Sequence, residues 1–165
     1  MKRLISLGTA VLALALGASI CHGQQSVDLM TLETAKVPLE RALEIAGHQG
    51  KPISAKFEID DGKLQLSVYT AKEGRFSEVI VDHQTGTVAK VKPITEGEDL
   101  KAAQAQSAAM AQSRMSLEAA TKKALTENSG SKAVSVYPSI ESGRAAAAVT
   151  LAGSQGAKTV SESLQ

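Results

Sequence analysis

The sequence predicts an α+β protein made of two small units, each a helix packed on an antiparallel β-sheet, joined by an Ala/Gln-rich helical connector. Three observations carry this. Between residues 37 and 91 a helical apolar stripe is followed by alternating strands with Gly-containing turns between them. The same order begins again at Met115. The chain is 43% hydrophobic but only 2% aromatic and has no Trp. Its cores must therefore be built from Leu, Ile, Val and much Ala, which buries little surface and makes each unit thinly cored.

The first 23 residues read as a signal peptide. Met1-Lys2-Arg3 is a basic start, Leu4 to Ile20 is apolar, and small residues precede the polar Gln24-Gln25-Ser26, which places cleavage after Gly23. A retained N-terminal anchor competes with this reading. So does lipidation at Cys21, although Ile20 fits poorly the small-residue position before a lipidated cysteine. Cys21 is the only cysteine, so cleavage after Gly23 leaves no thiol for redox chemistry, disulfides or metal ligation. Such a chain folds readily in a bacterial periplasm without waiting on disulfides. Without Lys2 and Arg3 it carries 16 basic and 17 acidic residues with the signs interspersed. That excludes the concentrated basic face a nucleic-acid partner needs.

Residues 24–36 are polar with scattered Leu and Met and are read as a tether. A first unit is expected over 37–95. Val37 opens its helix with Pro38 in the first turn, Leu39, Ala42, Leu43 and Ala46 form one stripe, and Gly47, Gly50 and Pro52 end it. Ala55, Phe57 and Ile59 alternate with polar residues, Asp60-Asp61-Gly62-Lys63 turns the chain, and Leu64, Leu66 and Val68 alternate in return. A second reversal at Lys72-Glu73-Gly74-Arg75 leads to a strand over Phe76 to Val81, and another strand is expected near Val88 to Val91. The helix stripe is the natural lid for the dry side of this sheet.

Between those last two strands lies Asp82-His83-Gln84-Thr85-Gly86. A short carboxylate there can accept backbone N–H groups about two residues on, and Gly86 tolerates the positive φ that closes such a loop, so Asp82, Thr85 and Gly86 are assigned a structural role. Helix, hairpin and this Asp-x-x-Thr-Gly-x-Val ending together resemble the PepSY domain, an extracytoplasmic module of thermolysin-type metallopeptidase propeptides and of stand-alone bacterial proteins.

Pro93 to Glu98 breaks the pattern, and residues 96–114 form the connector, rich in Ala, Gln and Ser. A second, divergent and shorter PepSY-like unit is expected over 115–165. Met115-Ser116-Leu117-Glu118-Ala119-Ala120 mirrors the start of the first helix, with Ser116 as a cap, Leu125 closing the stripe and Asn128-Ser129-Gly130 ending it. Val134 and Val136 lead into a strand, and Glu141-Ser142-Gly143-Arg144 takes the place of the first Asp-Gly turn. Ala145, Ala147, Val149 and Leu151 then alternate. After Gly153-Ser154-Gln155-Gly156, residues 158–164 stand where 76–82 stood. This copy stops before any Asp-x-x-Thr-Gly turn and replaces large apolar residues with alanine.

Catalytic patterns are absent: no Gly-x-Ser-x-Gly, no His-Glu-x-x-His and no phosphate-binding Gly-rich loop. Asp82 and His83 near Asp60 and Asp61 could ligate a metal, but turn roles account for all four. The Glu40/Glu44 and Lys122/Lys123 pairs read as solvated faces without the distinct environments that acid–base chemistry requires. The expectation is a periplasmic or secreted, non-catalytic binding module with no cofactor, no metal and no stable membrane insertion after cleavage. Its partner is expected to be a protein, a peptidase or another envelope component, since the resemblance implies restraint of a peptidase. With no peptidase following Gln165, that action is expected in trans. An open sheet can offer edge N–H and C=O groups to an extended peptide. The alternative is an accessory or sensor component binding a small ligand or metal for transport or two-component signalling.

Overall fold

The computed structural model describes residues 27–165, so the expected signal peptide, its cleavage point and Cys21 lie outside the described residues. The described chain is α+β, with four helices and one seven-stranded antiparallel sheet. In chain order these are α1 (Leu29–Glu33), α2 (Leu39–Ala46), β1 (Lys51–Asp60), β2 (Lys63–Lys72), β3 (Arg75–Val81), β4 (Val88–Ile94), α3 (Gly97–Ala111), α4 (Leu117–Glu127), β5 (Lys132–Glu141), β6 (Arg144–Gly153) and β7 (Gly156–Ser163).

The part of the expected tether that is described is not free chain. Asp28 caps α1, its Oδ1 accepting Thr31 N–H at 2.8 Å, and Val27 and Leu32 are buried in the core. Two apolar side chains suffice to dock a segment too short to show periodicity. In α2 the stripe Leu39, Ala42, Leu43 and Ala46 is wholly buried. Pro38 is the cap rather than a helical residue: its ψ of 164° is extended, a one-residue difference of the kind helix ends allow.

The strand order is β4-β3-β2-β1-β5-β6-β7. Every pairing but one joins sequence neighbours through a tight reversal. The hairpins β1–β2 and β5–β6 close at Asp61-Gly62 and Ser142-Gly143, where all four residues have positive φ, the two-residue turn whose twist matches that of the strands. The exception is β1 with β5, paired at Ala55↔Val136 and Lys56↔Ser135. The strands thus form one continuous sheet where two separate sheets were expected. Left apart, β1 and β5 would each be an edge flanked by buried apolar residues such as Ala55, Phe57 and Val136, and mutual pairing removes both edges.

One face of the sheet carries Ala55, Phe57, Leu66, Val68, Val79, Val81, Val136, Ala147 and Val149, all buried, under α2 and α4, which pack side by side. The alternate positions Ser54, Lys56, Glu58, Ser67 and Tyr69 point to the opposite face. Helix α3 lies on that second face across β1 and β5, with Ser54 Oγ donating to Gln106 Oε1 at 2.7 Å and Lys51 Nζ to the Met110 carbonyl at 2.9 Å. Its Ala103, Ala109 and Met110 are buried, so a helix with little hydrophobic drive of its own is held by its neighbours.

Pro93 does not end the sheet. It pairs with Ser77 inside β4, and β4 is an edge strand, the place where a residue without an N–H is tolerated. Pro52 likewise lies in β1 beside a register shift between Pro52 and Ser54. The corresponding shift recurs between Ala133 and Ser135 in β5.

Candidate functional site

The turn after β3 is ordered from both sides. The Asp82 Oδ1 accepts Gln84 N–H at 2.7 Å and Thr85 N–H at 3.1 Å, while Asp82 N–H donates to Thr87 O and Gly86 N–H to Asp82 O, both at 2.8 Å. These backbone donors, Gln84 first, hold the Asp82 carboxyl below its usual range. Gly86 has φ +74°. A side chain there would stand 3.5 Å from both Ile45 Cδ1 and Val37 Cγ2. The turn is also tied to the start of α2: His83 O accepts the N–H groups of Lys36 and Val37 at 2.9 and 3.0 Å, and Gln84 Nε2 donates to Thr34 O at 2.7 Å. The His83 ring sits 3.0 Å through Nδ1 from Gln84 Nε2.

On the second sheet face the alternating polar residues converge. Ser67, fully buried, places Oγ 3.1 Å from Glu58 Oε1 and 2.9 Å from Glu78 Oε1, and Gln65 Nε2 donates to Ser67 Oγ at 3.0 Å. Lys56 pairs with Glu58 at 2.5 Å and Lys92 with Glu78 at 3.2 Å. The Lys56 ammonium lies 5.8 Å from the Tyr69 ring centre. Burial, then Glu78 and Glu58, raise the Tyr69 hydroxyl far above its ordinary pKa, and burial pushes Tyr137 up to about 12. A groove of ≈ 520 Å³ runs along these residues past Asp60 to Glu96 and Asp99. From the sequence alone they read as the solvated side of each strand, because alternation gives the face but not the neighbours across it.

Two strand edges, β4 and β7, border the sheet. Asp60 and Asp61 stay at the β1–β2 reversal, Asp60 paired with Lys63. Among the described residues no group of three or more His, Cys, Asp or Glu is placed to hold a metal ion. Glu40 and Glu44 do not act together: Glu44 pairs with Arg41 at 2.5 Å, which lowers the Glu44 pKa, and Glu40 Oε2 has no hydrogen-bond partner. Lys122 and Lys123 also separate, Lys122 to Glu118 at 2.5 Å and Lys123 to both Glu127 at 2.9 Å and Glu162 at 2.5 Å. No helix of the described residues is long and apolar enough to cross a membrane.

A family model described as PepSY, peptidase propeptide and YPEB domain, matches residues 36–92. No curated protein and no solved structure matches the chain. The matched residues run from the pair of N–H groups held by His83, through α2 and β1 to β3, to the end of the Asp82–Gly86 turn and most of β4. Residues 36–92 of the chain are therefore similar to the PepSY domain.

Proposed function

We propose that this chain is a non-catalytic, exported binding module that acts on a separate protein, restraining a peptidase or modulating proteolysis in the cell envelope. The observation that carries the reading is the match of 36–92 to a family described by its peptidase propeptides. A sheet with free edges agrees with it, since an extended protein segment can add to such an edge through main-chain hydrogen bonds. In this reading Asp82, Thr85 and Gly86 shape the domain and do not touch the partner. The mature protein works in the periplasm or outside the cell, without a cofactor.

The domain reading that accompanies it takes 37–95 as one unit, 96–114 as the connector and 115–165 as a second, divergent copy. Repetition of local detail supports this. The register shift and the positive-φ pair recur at matching places in β5 and β6. Leu164 O accepts the N–H groups of Arg114 and Met115 just before α4, as His83 O does before α2.

The second reading, an accessory or sensor component binding a small ligand, is favoured by the polar groove beside Glu58, Glu78 and Asp99. Affinity capture from envelope extract, followed by cleavage assays on the purified pair, tests both. Recovery of a peptidase whose cleavage rate falls when the protein is added supports the first. Recovery of a transporter or histidine kinase, with no effect on any peptidase, overturns it.

A further inference from the structure

The two edges of the sheet are not alike. Edge β4 carries Lys90, Lys92 and Pro93, and its pairing with β3 is broken by a register shift at Ile80/Val81, devices that discourage a further strand. Edge β7, Gly156–Ser163, has no Pro, and its register with β6 runs unbroken from Gly153↔Gly156 to Ala146↔Ser163. Strand β7 packs chiefly against β6 and α4, and Ser161 Oγ donates to Glu141 Oε2 of β5 at 3.1 Å.

The phase of its hydrogen bonds follows from one bond. Leu164 N–H donates to Ala145 O at 3.0 Å, on the same register that pairs Ala146 with Ser163. In an antiparallel ladder hydrogen-bonded pairs alternate with open ones, so Glu162, Val160 and Lys158 direct their N–H and C=O groups at β6. Ala157, Thr159, Ser161 and Ser163 direct theirs outward, and all four are exposed. This row of alternating donors and acceptors is eight residues of ready pairing surface.

We infer that the occupant of this edge is β7 of a second copy, added antiparallel about a two-fold axis through Val160. In that register Thr159 of one copy faces Ser161 of the other and Ala157 faces Ser163, which matches the outward-pointing residues to one another. Val160 faces Val160, and Lys158 faces Glu162. Charge selects this register over its neighbours. Sliding the strands by two residues, the smallest slip that keeps each face with its like, puts Lys158 against Val160 or Leu164 instead.

The charges also lack balance within one copy. Lys123 is shared between Glu127 and Glu162, leaving that cluster with an excess negative charge. Lys158, exposed, has no ion-pair partner among the described residues. Two-fold pairing brings each Lys158 to the other copy's cluster, the self-complementary arrangement a symmetric interface requires. The sheet then runs unbroken from β4 of one copy to β4 of the other, with a guarded edge at each end. This inference goes beyond the proposed function and stands without it.

The test uses the protein expressed with its own N-terminal segment and purified as the host processes it. Sedimentation across a concentration series is expected to show the mass rising toward twice that of the monomer. Thr159→Pro removes an outward N–H and no backbone bond to β6, losing only the exposed hydroxyl contact to Thr150, and Lys158→Glu reverses the facing charge. Each is expected to weaken the dimer by about tenfold or more while leaving the circular dichroism spectrum unchanged. In a Cys21→Ser background, Val160→Cys is expected to form an intermolecular disulfide on mild oxidation much faster than Thr159→Cys, which faces position 161 instead of itself. If Thr159→Pro does not fold, Lys158→Glu and the cysteine pair decide. A monomer at every concentration, a dimer indifferent to Lys158→Glu, or equal cross-linking from the two cysteines overturns the inference.

Discussion

The backbone carbonyl of His83 accepts the N–H of Val37 at 3.0 Å, so the turn that closes one hairpin also fixes where the first core helix starts. The Asp82–Gly86 segment is therefore a joint between sheet and helix as much as a reversal. Its conformation bears on the placement of α2 over the sheet.

Gly86 is the position of that joint where an L side chain is most costly. At φ +74° Gly86→Ala is expected to destabilise the protein by roughly 1–2 kcal/mol. Gly86→Val is expected to cost more, because a branched side chain must also displace Ile45 or Val37. Urea melts of the two variants check the ranking. A Gly86→Val as stable as the parent would contradict the joint.

Acid sensitivity is expected at Asp82. Its folded-state pKa lies below the ordinary value of 3.8, so the carboxylate contributes stability that is present in full above that value and is lost as pH falls through the depressed folded value. Asp82→Asn removes that pH-dependent part while keeping an acceptor oxygen. Its melting temperature should match the parent's more closely as pH drops below about 4. Thermal scans from pH 6 down to pH 2 test this. Partner capture by Asp82→Asn should track its folded fraction alone, and loss of capture by a fully folded Asp82→Asn would show that the charge itself is recognised.

The adjacent lysines of α4 should behave differently when truncated. Lys123 pairs with Glu162, which is buried beneath α4 at 3% exposure, whereas the Lys122 partner Glu118 is partly open to solvent. Lys123→Ala leaves a buried carboxylate without its cation and should lower the melting temperature clearly more than Lys122→Ala. Adding Glu162→Gln to Lys123→Ala should recover part of the loss. Equal effects from the two lysines would sink the argument.

A continuous sheet should melt as a unit. Leu43, in α2, and Leu151, in β6, are both wholly buried, and either Leu→Ala is expected to cost about 2–5 kcal/mol. The two substitutions should shift the same single transition. Two resolved transitions, each moved by only one of the variants, would mean that the halves unfold separately.

How far the fold could be read in the sequence depended on the range of the forces involved. The Leu39/Ala42/Leu43/Ala46 stripe and the Asp61-Gly62 turn are legible because period and positive φ are local properties. The bonds from Gln84 and Thr85 to Asp82 are equally local. The bond from Gln84 to Thr34, fifty residues away, leaves no trace in spacing, and neither does the pairing of Ala55 with Val136. The place of α3 on the second face was hidden for another reason: its alanines mark no preferred side. The groove beside Glu58 and Glu78 was hidden because Lys56, Glu58 and Gln65 look like any solvated alternation until their cross-strand neighbours are known.

The seam between β1 and β5 is only two residue pairs long, yet it joins segments far apart in the chain. Hairpins on either side can zip early from local contacts, whereas the seam must wait for a large loop to close, which places it late in folding. Until it closes, β1 and β5 present equivalent open edges, and β1 of one molecule can meet β5 of another as readily as its own. The same short ladder that unifies the native sheet is thus the natural point for two chains to exchange halves during folding at high concentration.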